Sequence, residues 1–472
     1  MNPCSGIAQP LSDAVEWQFS LACVDGPEGR TKGALVTGRK AGLSIVALVC
    51  AGVVGVGCGD SDNGGGGNAD TKGKGATAGM AKVDPAAMDA AKGDITYCTG
   101  KDTSGDLKEG VAEFNKQANG VTVKLLEFPE SADEQRNQFT QRQRAKSGEC
   151  DGFEADVIWT AEFASQRWLL DMTPYLESRQ AEFIPSTLSS VDYEGKLWGA
   201  PRVTDAALLY YRTDTIDKKP ATWQEAYQLA RDADPQGIVY QGASYEGLTV
   251  DFLELAFAAG GKVLSDDGTK SEFDSPENVE ALQFMVDGIK DGAAPKAVTT
   301  YMEEQARRSF EAGRVSMMRN WLYAFALGNQ AKETKGNFTV IPFPRWEGGG
   351  TASVLGGHNM VISAYSKNPA ATLKFIDYMT SAERMKRNAI KYSKPPVLNA
   401  TYEDADVKRA IPVAAELKQA VEQAKSRPVS PVYSLISQAI YKNVNAALSG
   451  QTSPDDAIQQ ANAEITKALA TF

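Results

Sequence analysis

Residues 199–214 read GAPRVTDAALLYYRTD, with Arg202 and Asp205 three positions apart and 206–211 forming one apolar run. An arginine and a carboxylate ahead of a core strand admit three chemistries. They are a surface ion pair worth under about 1 kcal/mol, an acid–base pair, or polar groups turned toward a ligand. Comparable residues recur where other predicted strands end. Lys101 and Asp102 follow 95–99, Trp159 closes 155–159 with Glu162 after it, Gln241 closes 237–241 with Tyr245 and Glu246 after it, and Trp321 follows 315–318. Carboxylates accept paired hydroxyl hydrogen bonds and aromatic faces stack on sugar rings, so this set suits a neutral polyhydroxylated ligand. Each has a structural alternative: a tryptophan at a strand end also serves as a core anchor, and Asp102 and Glu162 also suit helix caps.

The elements that must position these residues alternate between strand and helix. Leu107, Val111 and Phe114 share one helical face after the first strand, and 121–128 is a second strand. A long polar helix over 132–146 precedes the third strand. A second series of strands and helices begins after Asp205. Alternation with buried apolar runs predicts an α/β fold, each lobe a mainly parallel sheet flanked by helices, whose ligands lie beyond the carboxyl ends of the strands. Two lobes of similar size place the ligand between them. The lobes are read as 94–205 with 338–394, and 206–337 with 395–472.

Composition narrows the chemistry. The 472 residues carry 49 Lys+Arg against 60 Asp+Glu, a formal charge of −11, which weighs against nucleic-acid binding. The single histidine, His358, weighs against imidazole metal centres and a Ser-His-Asp triad. No metal and no cofactor is expected. Arg39-Lys40 precede the uncharged run 41–57, which has the layout of a secretory signal. Residues 1–35 fit no export signal and are read, with 36–57, as a mis-started extension plus signal. A Gly-rich tether is expected over 58–93. Of the six cysteines, Cys98 and Cys150 then remain as a disulfide candidate in an oxidising compartment.

Cys58 closes the apolar run, and this end resembles a bacterial lipoprotein signal, implying lipidation of Cys58 and a lipid-anchored, extracytoplasmic location. From Asp94 to Phe472, ADVIWTAEFASQRWLLDMTPY, YEGKLWGAPRVTDAALLYYRTD, ATWQEAYQLA, FEAGRVSMMRNW and NPAATLKFIDYMTS occur in order. These segments resemble the substrate-binding proteins of bacterial sugar ABC importers. QGASYEGLTVDFLELAFAAGG and RPVSPVYS are similar to the trehalose/maltose-binding branch. The resemblance implies a type II periplasmic-binding-protein fold with a hinged cleft, a disaccharide or short oligosaccharide as ligand, an ABC permease as partner, and a monomer. It implies ligand contacts at Lys101, Asp102, Trp159, Glu162, Asp205, Tyr245, Glu246, Trp321 and Arg427, with backbone approach near Gly357. Arg202 and Gln241 complete the candidate set. The alternatives are a glycosidase using two cleft carboxylates, or a receptor for another solute such as a glycerol phosphodiester, a peptide or an anion.

Overall fold

The computed structural model describes residues 7–10, 17–20, 81–117 and 119–471. Ile7–Pro10 pairs antiparallel with Trp17–Ser20 in a unit of its own. Cys58, the signal and most of the tether lie outside the described residues. The end of the expected tether is in fact docked. Val83 is buried, its N–H donates to the Asp171 carbonyl at 3.0 Å, and the Asp171 N–H donates to the Ala81 carbonyl at 3.1 Å. Burial of Val83 with Met88 against the first core opposes the freedom a tether would have there.

Two mixed sheets organise the chain, and their strands are numbered here in order. The first sheet contains β1 (Gly93–Thr99), β2 (Val121–Glu127), β3 (Gly152–Asp156), β4 (Ala200–Asp205) and β9 (Gly356–Ile362). The second contains β5 (Leu208–Arg212), β6 (Ile238–Val239), β7 (Met317–Asn320) and β8 (Phe338–Ile341). Spatial orders are β2-β1-β3-β9-β4 and β6-β7-β5-β8. β1 runs parallel to β2 and β3, and β6 to β7, while the other pairs are antiparallel. The expectation of mainly parallel sheets is thus corrected. Strands that end at the boundary between lobes, such as β3, β4 and β7, lie beside strands that start there after a crossing, β5 and β9. Opposite entry makes those pairs antiparallel.

One lobe boundary also moves. β8, assigned from sequence to the first lobe, pairs with β5 through Phe338↔Arg212 to Ile341↔Leu209. The second lobe therefore keeps the chain until β9 returns. Val397 and Leu398 still pack in the first core, whereas Tyr402 packs in the second.

Leu107, Val111 and Phe114 are buried along the helix Asp106–Lys116, as their spacing predicts. The second sheet is covered by Glu246–Ala259, Pro276–Lys290 and Tyr433–Leu448, with Pro454–Leu469 packed behind. Among the described residues no helix is long and apolar enough to cross a membrane. Cys98 in β1 and Cys150 ahead of β3 form a disulfide with Cα atoms 5.7 Å apart. It lies in an aromatic cluster of Phe128, Phe139, Phe153, Phe163, Trp159 and Trp168.

That disulfide closes a loop with a sequence separation of 52. Replacing both cysteines by alanine should lower stability by about 2–4 kcal/mol through the wider unfolded ensemble. Urea denaturation checks this: the midpoint should fall, and an unchanged midpoint would show that the crosslink constrains nothing that folding must order.

Candidate ligand cleft

The ends of β1, β3 and β4 face the end of β7 and the starts of two second-sheet helices, Glu246–Ala259 and Glu303–Glu311. Between them lies a cavity of about 220 Å³. Nine of the twelve residues proposed from sequence line it: Lys101, Asp102, Arg202, Asp205, Tyr245, Glu246, Trp321, Gly357 and Arg427. A larger open groove of about 820 Å³ lies on the outer face of the second lobe, beside Phe284 and Trp346, and holds none of them.

Asp205 is the last residue of β4 and is buried, with Oδ1 lacking any hydrogen-bond partner. Burial pushes its carboxyl up to about 7, against the pull of Lys394 and the Leu322 N–H. Trp321 follows the end of β7, half-buried, with the Arg319 guanidinium 4.2 Å from its ring centroid. Gly356 makes room for this ring, since a Cβ there would lie 2.7 Å from Trp321 Cζ3. Gly357 has φ +126°, and a Cβ would stand 2.2 Å from the Val203 carbonyl oxygen, so only glycine passes here.

Three buried arginines underlie the cleft, each held by two carboxylates. Arg202 donates from Nε to Glu154 at 2.8 Å and from Nη1 to Asp106 at 2.6 Å, not to Asp205. Burial opposes ionisation of Glu154 and Asp106, yet Arg202 holds both carboxyls below the usual range. Arg427 donates to Glu246 at 2.6 Å, to Asp156 at 3.3 Å and to the Leu355 carbonyl at 3.1 Å. Arg319 donates to Glu254 at 2.6 Å and pairs with Asp251 at 2.9 Å. Glu246 also accepts from the Tyr433 hydroxyl at 2.7 Å and from Ser437; burial raises its carboxyl to about 7 despite Arg427. Tyr245 donates to Glu303 at 2.7 Å. Asp102 lines the cavity yet also caps a helix, accepting from the Gly105 and Lys108 N–H groups at 2.8 and 2.9 Å. Lys101 is exposed at the rim.

Three candidates are placed elsewhere. The third strand ends at Asp156, three residues earlier than read, and Trp159 is turned inward as the helix Thr160–Ser165 begins. Its ring lies 5.7 Å from Phe139 and 5.8 Å from Phe163, so it is a core anchor. Glu162, one turn on, is bound by both Nε and Nη2 of Arg136. Gln241 is fully buried, accepting from Arg319 Nη1 at 2.7 Å and donating from its N–H to Asp251 at 2.7 Å. It braces the second sheet because a buried guanidinium needs a further acceptor there.

The cavity also holds residues that sequence reasoning missed: Glu130, Asp156, Glu303, Glu304, Tyr323, His358 and Lys394. Tyr323 was legible, two positions after Trp321 in the same short segment. Lys394, with its ammonium 5.4 Å from the Tyr323 ring centroid, is brought in by tertiary structure alone. The chemistry offered is hydrogen-bond acceptance by carboxylates beside aromatic rings, with every guanidinium in the floor already claimed.

A profile described as bacterial extracellular solute-binding protein matches residues 100–386. A Deinococcus radiodurans protein described as a probable ABC transporter-binding protein is 32% identical, covering 83% of this chain and 97% of its own. The maltodextrin-binding protein MdxE of Bacillus subtilis is 24% identical, covering 81% and 93% respectively. Among solved structures, maltose-bound MalE3 of T. maritima is 37% identical with TM-score 0.76, covering 79% of this chain and 99% of that one. The two-lobed architecture is shared, and the relatives are binding proteins, so the glycosidase alternative falls. The chain belongs to the bacterial extracellular solute-binding protein family.

Proposed function

We propose that this protein is the sugar receptor of an ABC importer. It binds a disaccharide of the maltose or trehalose type between its lobes and delivers it to the permease as a monomer tethered by a lipid on Cys58. The observation that carries the reading is Asp205, a buried carboxylate with an unpartnered oxygen, in the same cavity as Trp321. A sugar supplies what both lack: hydroxyl donors for the acceptor and a C–H face for the ring. The cavity volume lies below the range of about 300–1,000 Å³ common for drug-sized ligands, which supports a short ligand over a long chain. The lining carries nine carboxylates against two lysines and two arginines, which weighs against a phosphodiester or another anion. The names of the maltose-bound and maltodextrin-binding relatives point to the same ligand class.

Calorimetry with maltose and trehalose tests this. Asp205→Asn and Trp321→Ala should each weaken binding at least about tenfold, or ~1.4 kcal/mol, whereas Glu162→Gln should leave affinity unchanged. Wild-type protein that binds neither disaccharide sinks the substrate assignment.

The raised carboxyl of Asp205 gives the affinity a pH dependence of defined sign. Sugar hydroxyls favour the carboxylate, so binding releases a proton, and affinity should fall as pH drops through about 7. In the free protein the same group favours folding when protonated, so its contribution to stability is lost as pH rises from about 4 through about 7. Asp205→Asn should flatten both profiles; a wild-type affinity independent of pH between 5.5 and 8.5 (about 1.5 units either side of the folded value) would count against the assignment.

For the anchor, Cys58→Ala should move the protein from the membrane fraction to the soluble fraction of expressing cells. Retention in the membrane fraction would rule out lipidation at Cys58 as the tether.

A further inference from the structure

Helices of the second lobe differ in how their N-termini are capped. Trp223–Asp232, Pro276–Lys290 and Pro454–Leu469 each carry a cap of their own. Thr222, Ser275 and Ser453 accept from backbone N–H groups at 3.1, 3.3 and 3.1 Å. The two helices that start at the cleft do not, and neither do Ala414–Gln423 and Tyr433–Leu448. Tyr245, ahead of Glu246–Ala259, makes no side-chain cap. Met302, ahead of Glu303–Glu311, has no side-chain oxygen, and only its own N–H is met, by Gln305 at 3.1 Å.

For Glu246–Ala259 the acceptor comes from the other lobe. The Glu246 N–H donates to Asp133 Oδ2 at 2.9 Å, and Asp133 lies in the first turn of the first-lobe helix Ala132–Arg144. The Glu130 carboxylate, just ahead of that same helix, lies in the same cavity as Glu303 and Glu304, and burial together with those two carboxylates raises it. Asp133 thus stands between two facing helix N-termini, each carrying roughly half a positive charge. Without an anion between them these like ends would repel. Opening the cleft removes the Asp133 acceptor and leaves the Glu246 N–H to water.

We propose that Asp133 is a closure latch, a first-lobe carboxylate that caps a second-lobe helix only when the lobes meet and so sets the balance between open and closed forms. The latch rests on the binding-protein reading of the cleft, but not on which solute fills it. Asp133 acts on affinity through the conformational equilibrium, as a positioning group.

The test is small-angle X-ray scattering on the full chain, with and without maltose, for wild type, the latch variant Asp133→Ala, and Ser275→Ala as a cap control. The latch variant should show a larger radius of gyration than wild type without sugar. Where maltose binds, its affinity should drop by about five- to tenfold, the scale of one cap, and any other bound sugar should drop by the same factor. Ser275→Ala should lower the melting temperature and leave the radius unchanged. A larger radius in the latch variant, with no maltose binding by any form, would sustain the latch and refute the sugar assignment. Equal radii and equal maltose affinities for wild type and latch variant overturn the latch while leaving the sugar reading intact. Equal radii with no maltose binding overturn it as well.

Discussion

The walls of this cleft depend on keeping buried guanidinium groups neutralised. Arg202, Arg319 and Arg427 are each at most 5% exposed, and none could stay charged there without close partners. Each is met by two carboxylates: Glu154 and Asp106, Asp251 and Glu254, Glu246 and Asp156. The planar fork of arginine reaches two acceptors at once, which lysine does not do. Deleting one partner of such a network costs about 3–5 kcal/mol, since it strands a buried charge. The networks also join elements distant in sequence. Arg202 ties β4 to β3 and to the helix Asp106–Lys116, and Arg427 ties the chain after 424 to both lobes.

That arrangement decides what the cleft can bind. With two carboxylates to each arginine, the floor offers an incoming anion no guanidinium without carboxylate partners. What remains available is an acceptor without a donor, Asp205, together with aromatic surface at Trp321 and Tyr323. Uncharged ligands rich in hydroxyl groups complement such a surface without the desolvation cost of a second buried charge. Burial is what pushes the Asp205 carboxyl up, against the pull of Lys394 and Arg319.

Much of this was legible in sequence, and its failures have local causes. Strand–helix alternation points to two lobes, and the polar residues flanking β4 and β7 line the cavity between them. Trp159 and Glu162 were misplaced because one strand was read three residues too late, and a short helix then turns both away. Gln241 follows a strand end as expected, but the buried charge of Arg319 draws its side chain inward. Periodicity cannot foresee that, because the partner lies 78 residues away. Asp156 and Lys394 needed tertiary structure, the first because it terminates a strand read as continuing, the second because no local pattern marks it. The antiparallel pairs escaped notice for a related reason: a chain that changes lobes reverses its direction of entry, and nothing local records the crossing.

The position of Asp205 links binding to motion. It ends β4, the outgoing crossing strand, and pairs with Gly356 at the start of β9, the returning one. Its acceptor oxygen is therefore carried by the backbone about which the lobes turn. A ligand held by a rigid wall gains contacts as the other wall approaches. A ligand held also at the crossing must in addition match the torsions that the crossing adopts on closure. Gly357, confined between its own positive φ and the Val203 carbonyl, keeps the returning strand within a narrow range of such torsions. On the proposed reading, ligand fit and lobe closure share one set of backbone angles, so a solute that cannot satisfy Asp205 would also fail to stabilise the closed geometry.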